Sequence, residues 1–141
     1  MFLFEIDQRL VPAHARLTRH QIDAVLHAIE NAVPKKAHGE LSIAFVSPAT
    51  IRKINRERRE KDEVTDVLSF QLGTEKAQLG EVLVCFSQAK RQAKEHGWSV
   101  RIEITNLIIH GVLHTLGFDH ETTPQQKRML PLQQKILLSV C

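Results

Sequence analysis

The segment from Ser99 to Gly117 constrains the fold of this chain most strongly. Its apolar residues recur every three or four positions, at Val100, Ile104, Leu107, Ile108 and Val112. This spacing is typical of a helix that buries one face. Ser99 is a preferred N-cap residue, and Gly117 suits the position just after a helix C-terminus. We therefore predict a core helix that begins after Ser99 and ends near Gly117.

Strand-like and helix-like segments alternate along the rest of the chain. Apolar alternation predicts strands over 2–7, 41–45, 68–72 and 80–85. Capping residues and apolar spacing predict further helices that start after Thr18, Ser47, Ser87 and Thr123. Pro131 is expected to kink or split the last helix. We predict a single α+β domain over residues 1–141, with a mixed sheet of about four strands and about five helices.

Composition excludes several classes of protein. The 141 residues are 43% hydrophobic and 25% charged, with a net charge of +3. These values are ordinary for a globular domain and exclude a disordered, collagen-like or disulfide-stapled chain. The apolar runs are too short to span a bilayer, and the first residues lack the basic region of a signal peptide. We expect a cytoplasmic protein in which Cys85 is buried and both Cys85 and Cys141 are reduced.

Three histidines near the end of the core helix form a candidate metal site. His110 and His114 are four residues apart and share one helix face. Gly117 can adopt a left-handed conformation that turns the chain, which lets His120 approach the other two. Three neutral imidazoles with an open fourth position are the ligands of a catalytic zinc site. We therefore predict one Zn²⁺ per chain, although three imidazoles also accept nickel, copper or iron.

The same offsets occur in the metalloprotease motif H-E-x-x-H-x-x-G-x-x-H. Gly111 stands where those proteases carry the glutamate that serves as general base. The pattern therefore argues against peptide hydrolysis and favours chemistry in which the metal itself activates water.

Asp119 has two interpretations, either orienting a histidine or capping a turn. A facial triad of two histidines and Asp119 for iron is the weaker alternative to the three-histidine site.

A charged stretch upstream supplies a second candidate. Six basic residues lie between positions 52 and 61, interleaved with acidic ones. The basic residues are Arg52, Lys53, Arg56, Arg58, Arg59 and Lys61. We interpret this stretch as a loop that leads into the third strand, and such a run is usually a solvated surface with local ion pairs. The functional interpretation is that one or two arginines bind a phosphodiester, because the guanidinium matches phosphate oxygens bidentately.

Three motifs of the chain resemble those of the YbeY family of bacterial metal-dependent endoribonucleases. Residues 110–120 read HGVLHTLGFDH and resemble the family signature H-G-x-L-H-L-x-G-[YF]-D-H. Residues 59–70 read REKDEVTDVLSF and resemble R-x-K-D-x-P-T-D-V-L-S-F. Residues 79–82 read LGEV and resemble L-G-D-I. The departures from the family pattern are Arg58 for Tyr, Val64 for Pro, Glu81 for Asp and Thr115 for Leu.

The resemblance implies a single-strand-specific endoribonuclease that acts in ribosomal RNA maturation, at the 3′ end of 16S rRNA, and in ribosome quality control. It implies zinc on His110, His114 and His120, with Arg59 and His114 as catalytic residues. It also implies the ribosomal small subunit and the GTPase Era as partners, and a sheet of about four strands surrounded by helices.

The mechanism and two other functions stay open from the sequence. Zinc would lower the pKa of a bound water toward ~7 or polarise a phosphoryl oxygen, while Arg59 stabilises phosphate charge. The 2′-hydroxyl of RNA is an alternative nucleophile. Glu81 and Asp66 are weaker candidates for orienting water, and Asp66 is better interpreted as a strand-start cap. The other functions are a zinc hydrolase or protease, and a ribosome-associated metal-binding assembly factor without catalysis.

Overall fold

Four strands form one mixed sheet in the computed structural model, which describes residues 2–73, 78–118 and 122–141. They are β1 (Phe2–Asp7), β2 (Gly39–Val46), β3 (Val67–Gly73) and β4 (Gln78–Cys85). Their order across the sheet is β1-β2-β4-β3. β2 lies parallel to β1 and to β4, whereas β3 is antiparallel to β4 and forms one edge.

The described residues also form five α-helices and one short 3-10 turn at Ala13–Ala15. The helices are α1 (Arg19–Ala32), α2 (Pro48–Arg59), α3 (Phe86–His96), α4 (Val100–Thr115) and α5 (Thr123–Val140). The predicted α+β domain with a mixed four-stranded sheet and five helices is therefore confirmed. None of these helices is long and apolar enough to cross a membrane.

Most of the predicted helix starts are confirmed, and two are wrong. The hydroxyls of Thr18, Ser47 and Ser99 accept backbone N–H groups at the starts of α1, α2 and α4. Ser87 does not cap α3, because β4 runs directly into the helix and leaves no separate cap position. The cap of α5 is Thr122, with a capping box to Gln125, rather than Thr123.

Two segments are more helical than predicted. α2 continues to Arg59 through charged residues that we expected to be a loop, because Arg, Glu and Lys are good helix formers. α5 continues through Pro131, so the predicted split does not form. Pro131 and Lys127 are both exposed. Water can therefore hydrate the Lys127 carbonyl that loses its helical donor.

The sheet separates two apolar clusters. α4 contacts β3 and β4 on one face and also packs against α3 and α5. α2 covers the other face with a smaller cluster around Ile51, Leu68, Leu83 and Cys85. Side chains alternate between the two faces along each strand. Val67 therefore faces α4, whereas Leu68 and Phe70 face α2.

Candidate active site

His110 and His114 lie one turn apart near the C-terminal end of α4. Their ring centroids are 4.8 Å apart, with 54° between the ring planes. Both residues are half-buried. The helix therefore presents two imidazoles side by side on one face, as the four-residue spacing predicts.

These histidines line a cleft of about 380 Å³ between α4, β3 and the end of α2. The cleft is also lined by Asn55, Arg59 and Ser69. Lys61 and Glu63 also line the cleft, and their opposite charges cancel. The charge of Arg59 therefore gives the lining a net positive charge. The structure thus places the candidate residues Arg59, His110 and His114 around one space. A net positive cleft attracts phosphate groups.

Arg59 is held in a defined position at the rim of this cleft. Its Nη2 donates to the carbonyl oxygen of Ser69 at 2.7 Å, on the edge strand β3. Its guanidinium carbon lies 5.1 Å from the centroid of the Phe70 ring. A guanidinium has five N–H donors. Among the described residues, the Ser69 carbonyl is the one hydrogen-bond acceptor of the Arg59 guanidinium. The guanidinium therefore retains donors for a substrate oxygen.

The turn after Arg59 is fixed by Asn55, whose role was not predicted from the sequence. Asn55 is 3% exposed, and its Nδ2 donates to the Glu63 carbonyl at 3.0 Å. Its own carbonyl accepts the N–H of Glu60, which has a left-handed φ of 58°. A left-handed non-glycine residue persists where its surroundings hold it. The available signal was an uncharged amide within a run of charged residues.

Elsewhere in the charged stretch, ion pairs on the surface dominate. Arg52 Nε donates to Asp62 Oδ1 at 2.8 Å, and this guanidinium lowers the pKa of the Asp62 carboxyl. Arg56 lies 3.7 Å from the same carboxylate. These contacts agree with the default interpretation for Arg52 and Arg56, whereas Arg59 and Lys61 line the cleft.

His110 is oriented by a hydrogen-bonded pair of amides. Its Nδ1 lies 2.9 Å from Gln133 Oε1, and Gln133 Nε2 donates to Asn106 Oδ1 at 3.0 Å. An amide oxygen only accepts, so Nδ1 is the donor in this contact, and in the neutral imidazole Nε2 is then the nitrogen with the lone pair. Such outer contacts fix the ring orientation of metal-binding histidines. Neither amide was predicted from the sequence, although Asn106 lies one turn before His110 on an apolar helix.

Gly111 allows α4 to lie close to the sheet. A Cβ atom at this position would lie 2.6 Å from Val82 Cγ1 and 3.4 Å from Val67 Cγ2. Real Cβ atoms essentially never make contacts shorter than 3.0 Å. A glutamate at position 111, as in the proteases, also has a Cβ atom and would make the same short contact with Val82. Packing thus gives a physical reason for the glycine that replaces it.

The two weaker candidates lie away from the cleft lining. Glu81 Oε1 is 3.8 Å from Arg58 Nη1, and Glu81 lies opposite Phe70 on the α2 face. Asp66 Oδ1 accepts the N–H of Val67 at 2.8 Å, at the start of β3. This contact agrees with the interpretation of Asp66 as a strand-start cap.

The histidines on α4 have the chemistry of zinc ligands. Two imidazoles face a polar cleft, and in the neutral form of His110 the lone pair is on Nε2, because Gln133 engages its Nδ1. Neutral imidazole is a preferred zinc ligand. Within the described ranges, no group of three or more His, Cys, Asp or Glu residues is placed to hold a metal. His120, the third predicted ligand, and Asp119 lie outside those ranges.

Comparison with known proteins identifies the family. The family model described as Endoribonuclease YbeY matches residues 4–140. Endoribonuclease YbeY of Staphylococcus carnosus is 38% identical over 126 residues, which cover 83% of this chain and 82% of that protein. Endoribonuclease YbeY of Sulfurihydrogenibium sp. is 45% identical over 102 residues, which cover 69% of this chain and 67% of that protein.

A solved structure agrees with this assignment. The solution structure of TM1509 from Thermotoga maritima matches 99% of this chain and 89% of its own, with a TM-score of 0.63 and 27% identity. The family model covers all three segments that carry the sequence resemblance. On these matches, the chain belongs to the YbeY family of endoribonucleases.

Proposed function

We propose that this chain is a zinc-dependent endoribonuclease that cuts single-stranded RNA in the cleft between α4, β3 and α2. The observation that carries the proposal is the meeting of Arg59 with His110 and His114 around one polar space. Their positions in the sequence are about fifty residues apart, and the packing of β3 against α4 brings them together. The Endoribonuclease YbeY relatives support the choice of RNA as substrate.

The metal would be held by His110, His114 and His120. When bound, zinc supplies a Lewis acid for a phosphoryl oxygen and lowers the pKa of a water ligand. The chain would contribute the orientation of the first ligand, since Gln133 and Asn106 hold the ring of His110. This preorganisation reduces the cost of assembling the site.

Arg59 would bind the scissile phosphate. Its contact with the Ser69 carbonyl and its stacking on Phe70 hold the guanidinium plane, so little side-chain freedom is lost on binding. Negative charge grows on the non-bridging oxygens as the new bond to phosphorus forms. A fixed guanidinium beside those oxygens stabilises the transition state more than the ground state.

The attacking oxygen comes from water or from the RNA 2′-hydroxyl. The products distinguish these routes, because attack by the 2′-hydroxyl leaves a 2′,3′-cyclic phosphate on the upstream fragment. Attack by water alone leaves no cyclic product. Mass spectrometry of the fragment ends therefore identifies the nucleophile.

The biological setting is part of the proposal. The family resemblance supports a role in maturation of the 3′ end of 16S rRNA and in ribosome quality control, with the small ribosomal subunit and the GTPase Era as partners. We also propose that the whole chain acts as one metallo-endoribonuclease domain in the cytoplasm. Each of these points stays a prediction.

Two other functions have less support. A peptide hydrolase of the H-E-x-x-H type needs a general base after the first histidine, and Gly111 leaves no room for it. An assembly factor without catalysis would use zinc structurally, but structural zinc sites normally have four protein ligands. Three histidine ligands would instead leave one position of a bound zinc for substrate or water.

The test is cleavage of labelled single-stranded RNA by purified protein, with duplex RNA, single-stranded DNA and casein in parallel. His114→Ala is compared with His27→Ala, because His27 is an exposed histidine on α1. We expect wild type and His27→Ala to cut only single-stranded RNA, and His114→Ala to lose at least ~100-fold in rate. Equal cleavage by all three proteins would indicate a contaminating nuclease and contradict the proposal.

A further inference from the structure

We propose that Arg58 is a second phosphate-binding side chain, which holds the RNA backbone next to the phosphate bound by Arg59. This inference rests on the proposed function, since it extends the same binding surface by one nucleotide. It assigns to Arg58 a role in substrate binding rather than in bond cleavage.

The two arginines share one aromatic ring. The guanidinium carbon of Arg58 lies 4.7 Å from the Phe70 ring centroid, and that of Arg59 lies 5.1 Å from it. Phe70 is half-buried on β3, and it packs into the apolar cluster beneath α2. A ring anchored in this way contacts both guanidinium groups by cation–π interaction.

The two arginines lie at different points of a path across the edge of the sheet. Arg59 lines the cleft that contains the histidines of α4. Arg58 lies beside Phe70 and Glu81, whose side chains belong to the α2 face. An RNA strand that leaves the cleft across β3 therefore passes Arg59 first and Arg58 next.

Arg58 is accessible to such a strand. Its side chain is 47% exposed, and its ion pair with Glu81 is long, at 3.8 Å. Ion pairs of this kind in water are weak, so a phosphate group can replace the carboxylate. The guanidinium can bind phosphate oxygens bidentately while it stays stacked on Phe70.

Arg56 on the same helix provides a matched control. Its side chain is 54% exposed, and it makes a similarly long ion pair of 3.7 Å, but with Asp62. Arg58 and Arg59 are the arginines of α2 that stack on Phe70. Substitution of Arg56 removes the same charge without removing the stacked guanidinium.

The experiment measures binding of a 2′-O-methyl single-stranded RNA by fluorescence anisotropy at a series of salt concentrations. For single strands, each lost phosphate contact reduces the slope of log affinity against log salt by about 0.7. We expect this reduction for Arg58→Gln and none for Arg56→Gln or Arg58→Lys. On cleavable RNA, Arg58→Gln is expected to raise KM several-fold while kcat stays within about twofold, which is the pattern of lost uniform binding.

Equal slopes for Arg58→Gln, Arg56→Gln and wild type would contradict the role of Arg58. Equal reductions in both glutamine variants would also contradict it, because they would indicate a general effect of net charge. A wild-type protein that neither binds nor cuts RNA would instead contradict the proposed function itself.

Discussion

Replacing Gly111 by alanine tests how closely α4 lies against the sheet. Alanine favours a helix over glycine by about 1 kcal/mol, so an exposed site would gain stability. At position 111 the new Cβ would lie 2.6 Å from Cγ1 of Val82, which is fully buried. Overpacking a core costs about 1–3 kcal/mol, and a contact this short belongs near the upper value. We therefore expect a net loss of about 2 kcal/mol in the free energy of unfolding.

The assay is urea unfolding of four proteins: wild type, Gly111→Ala, Val82→Ala and the double variant. Because Val82→Ala removes both methyl groups nearest to the new Cβ, Gly111→Ala should cost at least 1 kcal/mol less in that background. A Gly111→Ala protein more stable than wild type would refute the reasoning. The same cost in both backgrounds would show that the loss does not come from contact with Val82.

Two further predictions test contacts that the structure assigns to single side chains. Gln133→Leu is expected to weaken zinc affinity about 10–100-fold through loss of the contact to His110, whereas Gln134→Leu on the exposed side should not. Competition with a chromogenic chelator measures this, and equal affinities would contradict the orienting role. Thr122→Ala should destabilise the protein by about 1 kcal/mol and Thr123→Ala by much less, since Thr122 is the cap. Thermal unfolding measures both losses of stability. A larger loss for Thr123→Ala than for Thr122→Ala would contradict Thr122 as the cap and favour the cap predicted from the sequence.

The elements that could be predicted from the sequence are those in which several local signals agree. For α1 and α4, apolar spacing and a capping hydroxyl coincide, and both starts are confirmed. The start of α5 was wrong because the capping-box rule fits both Thr122 with Gln125 and Thr123 with Gln126. The start of α3 was wrong because nothing local shows that a strand runs directly into a helix. The local sequence alone therefore could not place the start of α3 or of α5.

The candidate site was predictable to a different extent. The helical spacing predicts that His110 and His114 are neighbours, and the rings do lie side by side. The helical spacing does not predict that Arg59 lies near these histidines. The expectation that Arg59 belongs to the same site came from the family resemblance. Gln133 lies 23 positions after His110, and its contact depends on how α5 packs against α4. A single long-range hydrogen bond of this kind leaves no periodic signal in the sequence.

The most direct test of the account is a double-mutant cycle on RNA cleavage with Arg59→Ala, His114→Ala and the double variant. Single-turnover rates with excess enzyme report the chemical step rather than binding. If both residues act at one centre, their effects are strongly non-additive. We then expect the double variant to be no more than about threefold slower than the slower single variant. Losses that multiply would show that Arg59 and His114 act independently, and would contradict a single RNA-cleaving centre in this cleft.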